Sequence, residues 1–226
     1  NLTTGALTSR MNELAIGAVL GSAAGDALGS QYEFGPALAD DHVVEFGAGY
    51  FGHARGEWTD DTSMAMPILQ ALARGDSLND AATLERIVTE WREWSRTSPD
   101  VGAQTSSVLG ALDGNYSEQN ARAVSRTHHE RTGRSGGNGS LMRSGPVALG
   151  YLEDGQETDL VDAARRIAQQ TASATSPSGR AWLCEASISW RYIGSASTLS
   201  MMRFIIVTAS TGKSPAALSA DSMTAS

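Results

Sequence analysis

"GEWTDDTSMAM", residues 56–66, begins a run in which Met64, Ala65, Ile68, Leu69 and Leu72 recur at helical spacing before Gly75. Such a repeat places one apolar stripe on a helix, and the glycine supplies its stop, so a helix is expected from Asp61 to Gly75. Two readings of Thr59, Asp60 and Asp61 stay open at this point. A threonine or aspartate before an apolar helix caps free N–H groups and complements the helix dipole. Three successive oxygen donors also suit one side of a hard-cation site such as Mg²⁺.

Working outward, "SLNDAATLERIVTEWREW", residues 77–94, offers Asn79 or Asp80 as an N-cap, then Leu84, Ile87, Val88, Trp91 and Trp94 along one stripe. "VGAQTSSVLGALDG" and "DLVDAARRIAQQTA" read as two further helices, and alternating strand-like runs are scarce. Residues 11–28, "MNELAIGAVLGSAAGDAL", are apolar or small on most faces, the pattern of a buried helix whose glycines permit close neighbours. The class expected is all-α.

Composition narrows the function classes. A chain of 226 residues suits one well-filled domain. A formal net charge of −8 repels phosphate backbones, and beyond the scattered arginines of 122–143 there is no basic patch, so no nucleic-acid partner is expected. Cys184 is the single cysteine, which excludes an intramolecular disulfide and fits a cytoplasmic setting. "LAIGAVLGSAAG" is too short and too interrupted to span a bilayer, so no membrane partner is expected either.

Two more stretches carry candidate chemistry. "RTGRSGGNGSLMRSGPVAL", residues 131–149, strips side chains from a loop at Gly133, Gly136, Gly137 and Gly139, with a helix expected from Ser140. Its N–H groups could meet a phosphate, or the stretch could be a plain linker. "GSAAGDALGSQYEFGP" sets Asp26 and Glu33 where helix gives way to loop, positions at which a carboxylate is a cap or a solvated charge more often than a catalytic group.

In order along the chain, "GAVLGSAAGDALGSQYEF", "GEWTDDTSMAM", "SPDVGAQT" and "RTGRSGGNGSLMRSGPVALGY" resemble the ADP-ribosylglycohydrolase family over roughly residues 12–170. The resemblance implies an all-α orthogonal helical bundle with a cleft for two Mg²⁺ ions, where ADP-ribose attached to a protein side chain is released by hydrolysis. It implies that Thr59, Asp60 and Asp61 are metal donors, and that Glu33, Asp60 and Asp61 are catalytic. It implies further that Asp100, Gly137, Asn138, Gly139, Ser140 and Met142 line the ADP-ribose. His128 and His129 match no motif and read as surface or packing residues.

The family pattern also has a later Gly-Asp-x-Asp-Thr motif that completes the metal shells, and this sequence lacks it: after residue 170 the single aspartate is Asp221. Residues 1–170 therefore read as the family's helical domain and 171–226 as a divergent tail, truncated or irregular. Codons for residues 212–225, read in a shifted frame, permit Gln-Ile-Ala-Gly-Gly, which is similar to the family's closing helix, so a frameshifted tail is expected. An inactive chain, or an ADP-ribose-binding descendant without catalysis, is the alternative to the hydrolase. A nucleotide-binding module is disfavoured. In "RFIIVTASTGKS" Val207 stands where a P-loop needs its first glycine, and Pro215 follows at once.

Overall fold

The computed structural model describes residues 9–173, without 134–136, 138 and 154. Every regular element among the described residues is helical and none is a strand, as the class expected from the sequence requires. No described helix is long and apolar enough to cross a membrane. The described residues divide into two compact units, 9–59 and 60–173.

The second unit holds α2 (Asp60–Ala73), α3 (Ala81–Trp94), α4 (Ala103–Gly110), α5 (Glu118–Thr132), the single turn α6 (Gly139–Met142), a 3₁₀ segment at Gly145–Gly150, and α7 (Glu157–Ala168). Helix α2 starts at Asp60, one residue before the expected start. Its end is as expected: Gly75 turns left-handed at φ +78°, and its N–H donates to the Leu72 carbonyl at 2.9 Å. Between the two candidate caps of α3 the structure selects Asp80, whose carboxylate accepts from the Thr83 N–H at 3.1 Å. Ser117 caps α5 in the same way, and Gly133 ends it at φ +65°.

The core lies where the stripes of these helices meet. Met64 and Ile68 of α2, Leu84, Ile87, Val88 and Trp91 of α3, Leu109 of α4 and Ile167 of α7 are all buried in one cluster. Helix α2 packs on α3 and on the 3₁₀ segment, and α4 on α5. Helix α5 has no strong signature in the sequence because its buried positions, Ala121 and Ser125, are small rather than apolar and bulky. A side-chain bond closes the unit elsewhere: Arg166 of α7 pairs with Glu118 of α5 at 2.5 Å and also donates to the Asn79 carbonyl before α3.

The first unit contains one helix, α1 (Ser9–Gly29), and the loop of residues 30–59. Here the structure corrects the reading of a buried helix with close neighbours. Leu14, Ile16 and Leu20 are exposed, and a Cβ placed on Gly17, Gly25 or Gly29 would meet nothing within 4 Å. Apolar residues on every face need cover on every face, and this unit has no second described helix to give it. The tail from residue 174, with the frameshift and P-loop readings that fall on it, lies outside the described residues.

Candidate functional site

Asp26, on the last turns of α1, binds Thr59 through both carboxylate oxygens. Its carboxylate accepts the Thr59 N–H at 3.0 and 3.1 Å and the Thr59 hydroxyl at 2.6 Å. Both groups of a buried threonine are thus turned toward one anion 33 residues away, which fixes Thr59 just before α2 begins. With its proton donated to Asp26, the Thr59 hydroxyl offers only lone pairs to anything else it meets. Asp60 and Asp61 follow in the chain and form the first turn of α2, where the helix dipole favours negative charge. Both are half-buried. Helix start and three consecutive oxygen-bearing residues therefore coincide in the chain, and Asp26, expected from the sequence to be a cap or solvated carboxylate, is the partner of Thr59.

The glycine-rich loop belongs to the second unit. Gly137 is exposed, and its N–H donates to the Gln104 side chain at 3.4 Å, while Gln104 in turn donates to the Thr171 carbonyl at 2.7 Å. Gly139 opens α6, and a Cβ there would stand 3.3 Å from the Thr105 hydroxyl, so any side chain crowds α4. The Ser140 carbonyl accepts from Ser144 at 2.5 Å, and Met142 packs against the core. Asp100 lies half-buried in the turn before α4 and accepts from the Ser98 hydroxyl. Glu33 sits exposed in the turn after α1. Asn138 lies outside the described residues.

Sequence reading passed over Arg143, the most unusual residue near this loop. Its guanidinium is 0% exposed and lies 4.4 Å from the centre of the Trp91 ring. One terminal nitrogen donates to the Gly139 carbonyl at 2.6 Å, and the other to the Thr171 hydroxyl at 2.8 Å and the Ile167 carbonyl at 3.3 Å, while Nε has no hydrogen-bond partner. No carboxylate forms an ion pair with it among the described residues. Burial pushes its pKa down to about 9, with the charge of Asp60 opposing that shift, so it remains a cation at neutral pH. The signal was present: Arg143 is the lone charge in "SLMRSGPVAL".

Whether the described residues suit a divalent cation follows from the donor set. Thr59, Asp60 and Asp61 are the oxygen ligands a hard cation takes. They amount to one side of a shell, because no group of three His, Cys, Asp or Glu side chains capable of holding a metal occurs among the described residues.

An all-helical protein with consecutive hydroxyl and carboxylate donors at a helix start, and a glycine-rich loop beginning a second helix, is the class these observations define. The chain matches the ADP-ribosylglycohydrolase family over residues 7–214 and belongs to that family. It is 34% identical over 146 residues to the ADP-ribosylarginine hydrolase Tri1 of Pseudomonas putida (strain GB-1), covering 59% of this chain and 35% of that protein. It is 31% identical over 162 residues to the ADP-ribosyl-[dinitrogen reductase] glycohydrolase of Rhodospirillum rubrum, covering 66% of this chain and 48% of that protein. The chain thus spans half or less of the length of these relatives. A solved ADP-ribosylglycohydrolase-related protein complex shares the fold, with 24% identity and a TM-score of 0.51 over 85% of this chain and 65% of that one.

Proposed function

We propose that this chain serves a Mg²⁺-dependent hydrolase activity that releases ADP-ribose from protein side chains, in a cytoplasmic setting. The observation that supports this best is that Asp26 binds both the N–H and the hydroxyl of Thr59, the residue that precedes Asp60 and Asp61 in the chain. In this reading Thr59, Asp60 and Asp61 hold the cation side of a two-ion site. When bound, such ions supply charge neutralisation and a water acidified toward neutral pH. Glu33, an exposed carboxylate, would accept a proton from the attacking water. Asp100, Gly137, Asn138, Gly139, Ser140 and Met142 line the ADP-ribose, with the loop's small residues permitting close approach of a diphosphate to backbone N–H groups. The relatives' names favour arginine as the leaving group.

A second reading, ADP-ribose binding without turnover, is favoured by the absence of a complete group of metal-holding side chains among the described residues. One experiment separates the two. The 226-residue chain is titrated with ADP-ribose in a calorimeter and then given an ADP-ribosylarginine substrate with and without Mg²⁺. The hydrolase reading expects slow, Mg²⁺-dependent release of ADP-ribose that Asp60→Ala abolishes, and a gain in rate when a Gly-Asp-x-Asp-Thr segment is restored. ADP-ribose binding with no release in either form would establish the second reading. Release that ignores both Mg²⁺ and Asp60→Ala would overturn the site itself.

A further inference from the structure

Three aromatic rings in the first unit stand in water while touching one another. Phe34, Tyr50 and Phe51 are 66%, 69% and 44% exposed, with ring centroids 5.3 Å apart for Phe34–Tyr50, 5.6 Å for Phe34–Phe51 and 5.2 Å for Tyr50–Phe51. Single exposed apolar residues need no explanation, but a contiguous cluster of rings marks an interaction surface. The loop that carries them is itself ordered by bonds. Tyr32 donates its hydroxyl to the Glu45 carbonyl at 3.3 Å and accepts the Glu45 N–H at 3.2 Å, and its ring meets His42 edge-on. Gly56 N–H donates to the Gly47 carbonyl at 3.3 Å, closing the segment that bears Tyr50 and Phe51. Rings already held in place lose little freedom when a partner arrives.

The same segment is strongly acidic. Between residues 31 and 58 stand Glu33, Asp40, Asp41, Glu45 and Glu57 against Arg55 alone, which concentrates half of the chain's net charge of −8 in this loop. Asp40, Asp41 and Glu45 are exposed and form no ion pair among the described residues. Tyr32, two residues from Phe34, is the residue that ties 42 and 45 to this end of the loop, so the carboxylates and the rings share one short stretch of structure.

We propose that residues 31–58 form a docking surface for an arginine- and lysine-rich stretch of polypeptide. Ring faces attract cations, and guanidinium groups stack on them. Unpaired carboxylates draw the same groups and repel phosphates, which rules against a nucleic acid or an anionic membrane. An uncharged apolar partner would bury those carboxylates without compensation. The surface includes Glu33, which the hydrolase reading also uses, so its test reads peptide binding without turnover and leaves Glu33 unchanged.

The probe is a fluorescein-labelled oligo-arginine peptide, followed by anisotropy at increasing salt. Binding that weakens with salt is expected, together with a loss of about fivefold when Phe34, Tyr50 and Phe51 are all replaced by leucine, which keeps the bulk and removes the ring faces. Asp40→Asn with Asp41→Asn should weaken binding by a similar factor and flatten its salt dependence. Glu85→Gln with Glu93→Gln, on the exposed face of α3 in the second unit, removes the same charge outside residues 31–58 and should leave binding within about twofold. The proposal is overturned if the peptide does not bind, if both charge pairs weaken it equally, or if the leucine variant binds as tightly as the parent. It is equally overturned if the rings instead mediate binding to phosphatidylcholine vesicles or self-association in sedimentation, either of which the leucine variant would abolish.

Discussion

Helices α3 and α1 differ in how their apolar residues are arranged and in what became of them. Helix α3 carries a single stripe, and Leu84, Ile87, Val88 and Trp91 on that stripe are all at or below 1% exposure. Helix α1 is apolar nearly all round, yet Leu20 is 63% exposed. A stripe specifies one face and the polar rest of the helix solvates the other, so a single partner satisfies it. An all-round apolar helix needs several partners, and its own sequence is silent about where they come from. Amphipathic contrast therefore reports burial, whereas apolar content alone reports only helicity.

The comparison is most exposed to test at Trp91. Trp91→Ala removes a fully buried ring, the Nε1–H bond to the Met64 carbonyl at 2.8 Å and the face under Arg143, so a loss of about 3–5 kcal/mol is expected in urea unfolding. A loss below about 1 kcal/mol would mean that the 60–173 core is far less cooperative than its packing implies.

A smaller effect in the same unit depends on pH. The hydrogen bond from Arg166 is the main cause holding the Glu118 carboxyl below its ordinary value of 4.5, with desolvation opposing it. A depressed carboxyl contributes stability that is present above its ordinary value and lost as pH falls through the folded one. Arg166→Met should therefore lose about 1–2 kcal/mol at neutral pH, and the gap to the parent should close as pH is lowered below that range. A gap that stays constant with pH would assign the loss to packing and to the Asn79 carbonyl instead. The least effect is expected in the first unit: Leu20→Ser should stay within about 0.5 kcal/mol. A larger drop would show that α1 is covered in solution.

How much of this was legible follows the same physics. The helices with contrast, α2, α3, α4 and α7, were readable, and so was the stop at Gly75, because period and backbone sterics are local properties. Helix α5 was not, since small buried residues leave no apolar stripe. Of the candidate site, Thr59, Asp60, Asp61 and the glycine loop stand out in the sequence as motifs. Asp26 as anchor and Arg143 as a buried cation were missed because both act across long sequence separations, 33 residues for Asp26–Thr59 and 28 for Arg143–Thr171. One sequence shows what a residue can donate or accept, and the fold decides with whom.

Arg143 has a consequence for the order in which the protein forms during synthesis. The residue that grips the Gly139 carbonyl also needs Trp91, already emerged, and Ile167 with Thr171, which leave the ribosome later. Until those residues appear, a guanidinium destined for the interior has only water to satisfy it, and the α6 turn beginning at Gly139 has no fixed post. The turn of α6 that begins at Gly139 should therefore be fixed late, in one step with the docking of α7 rather than as soon as its own residues are made.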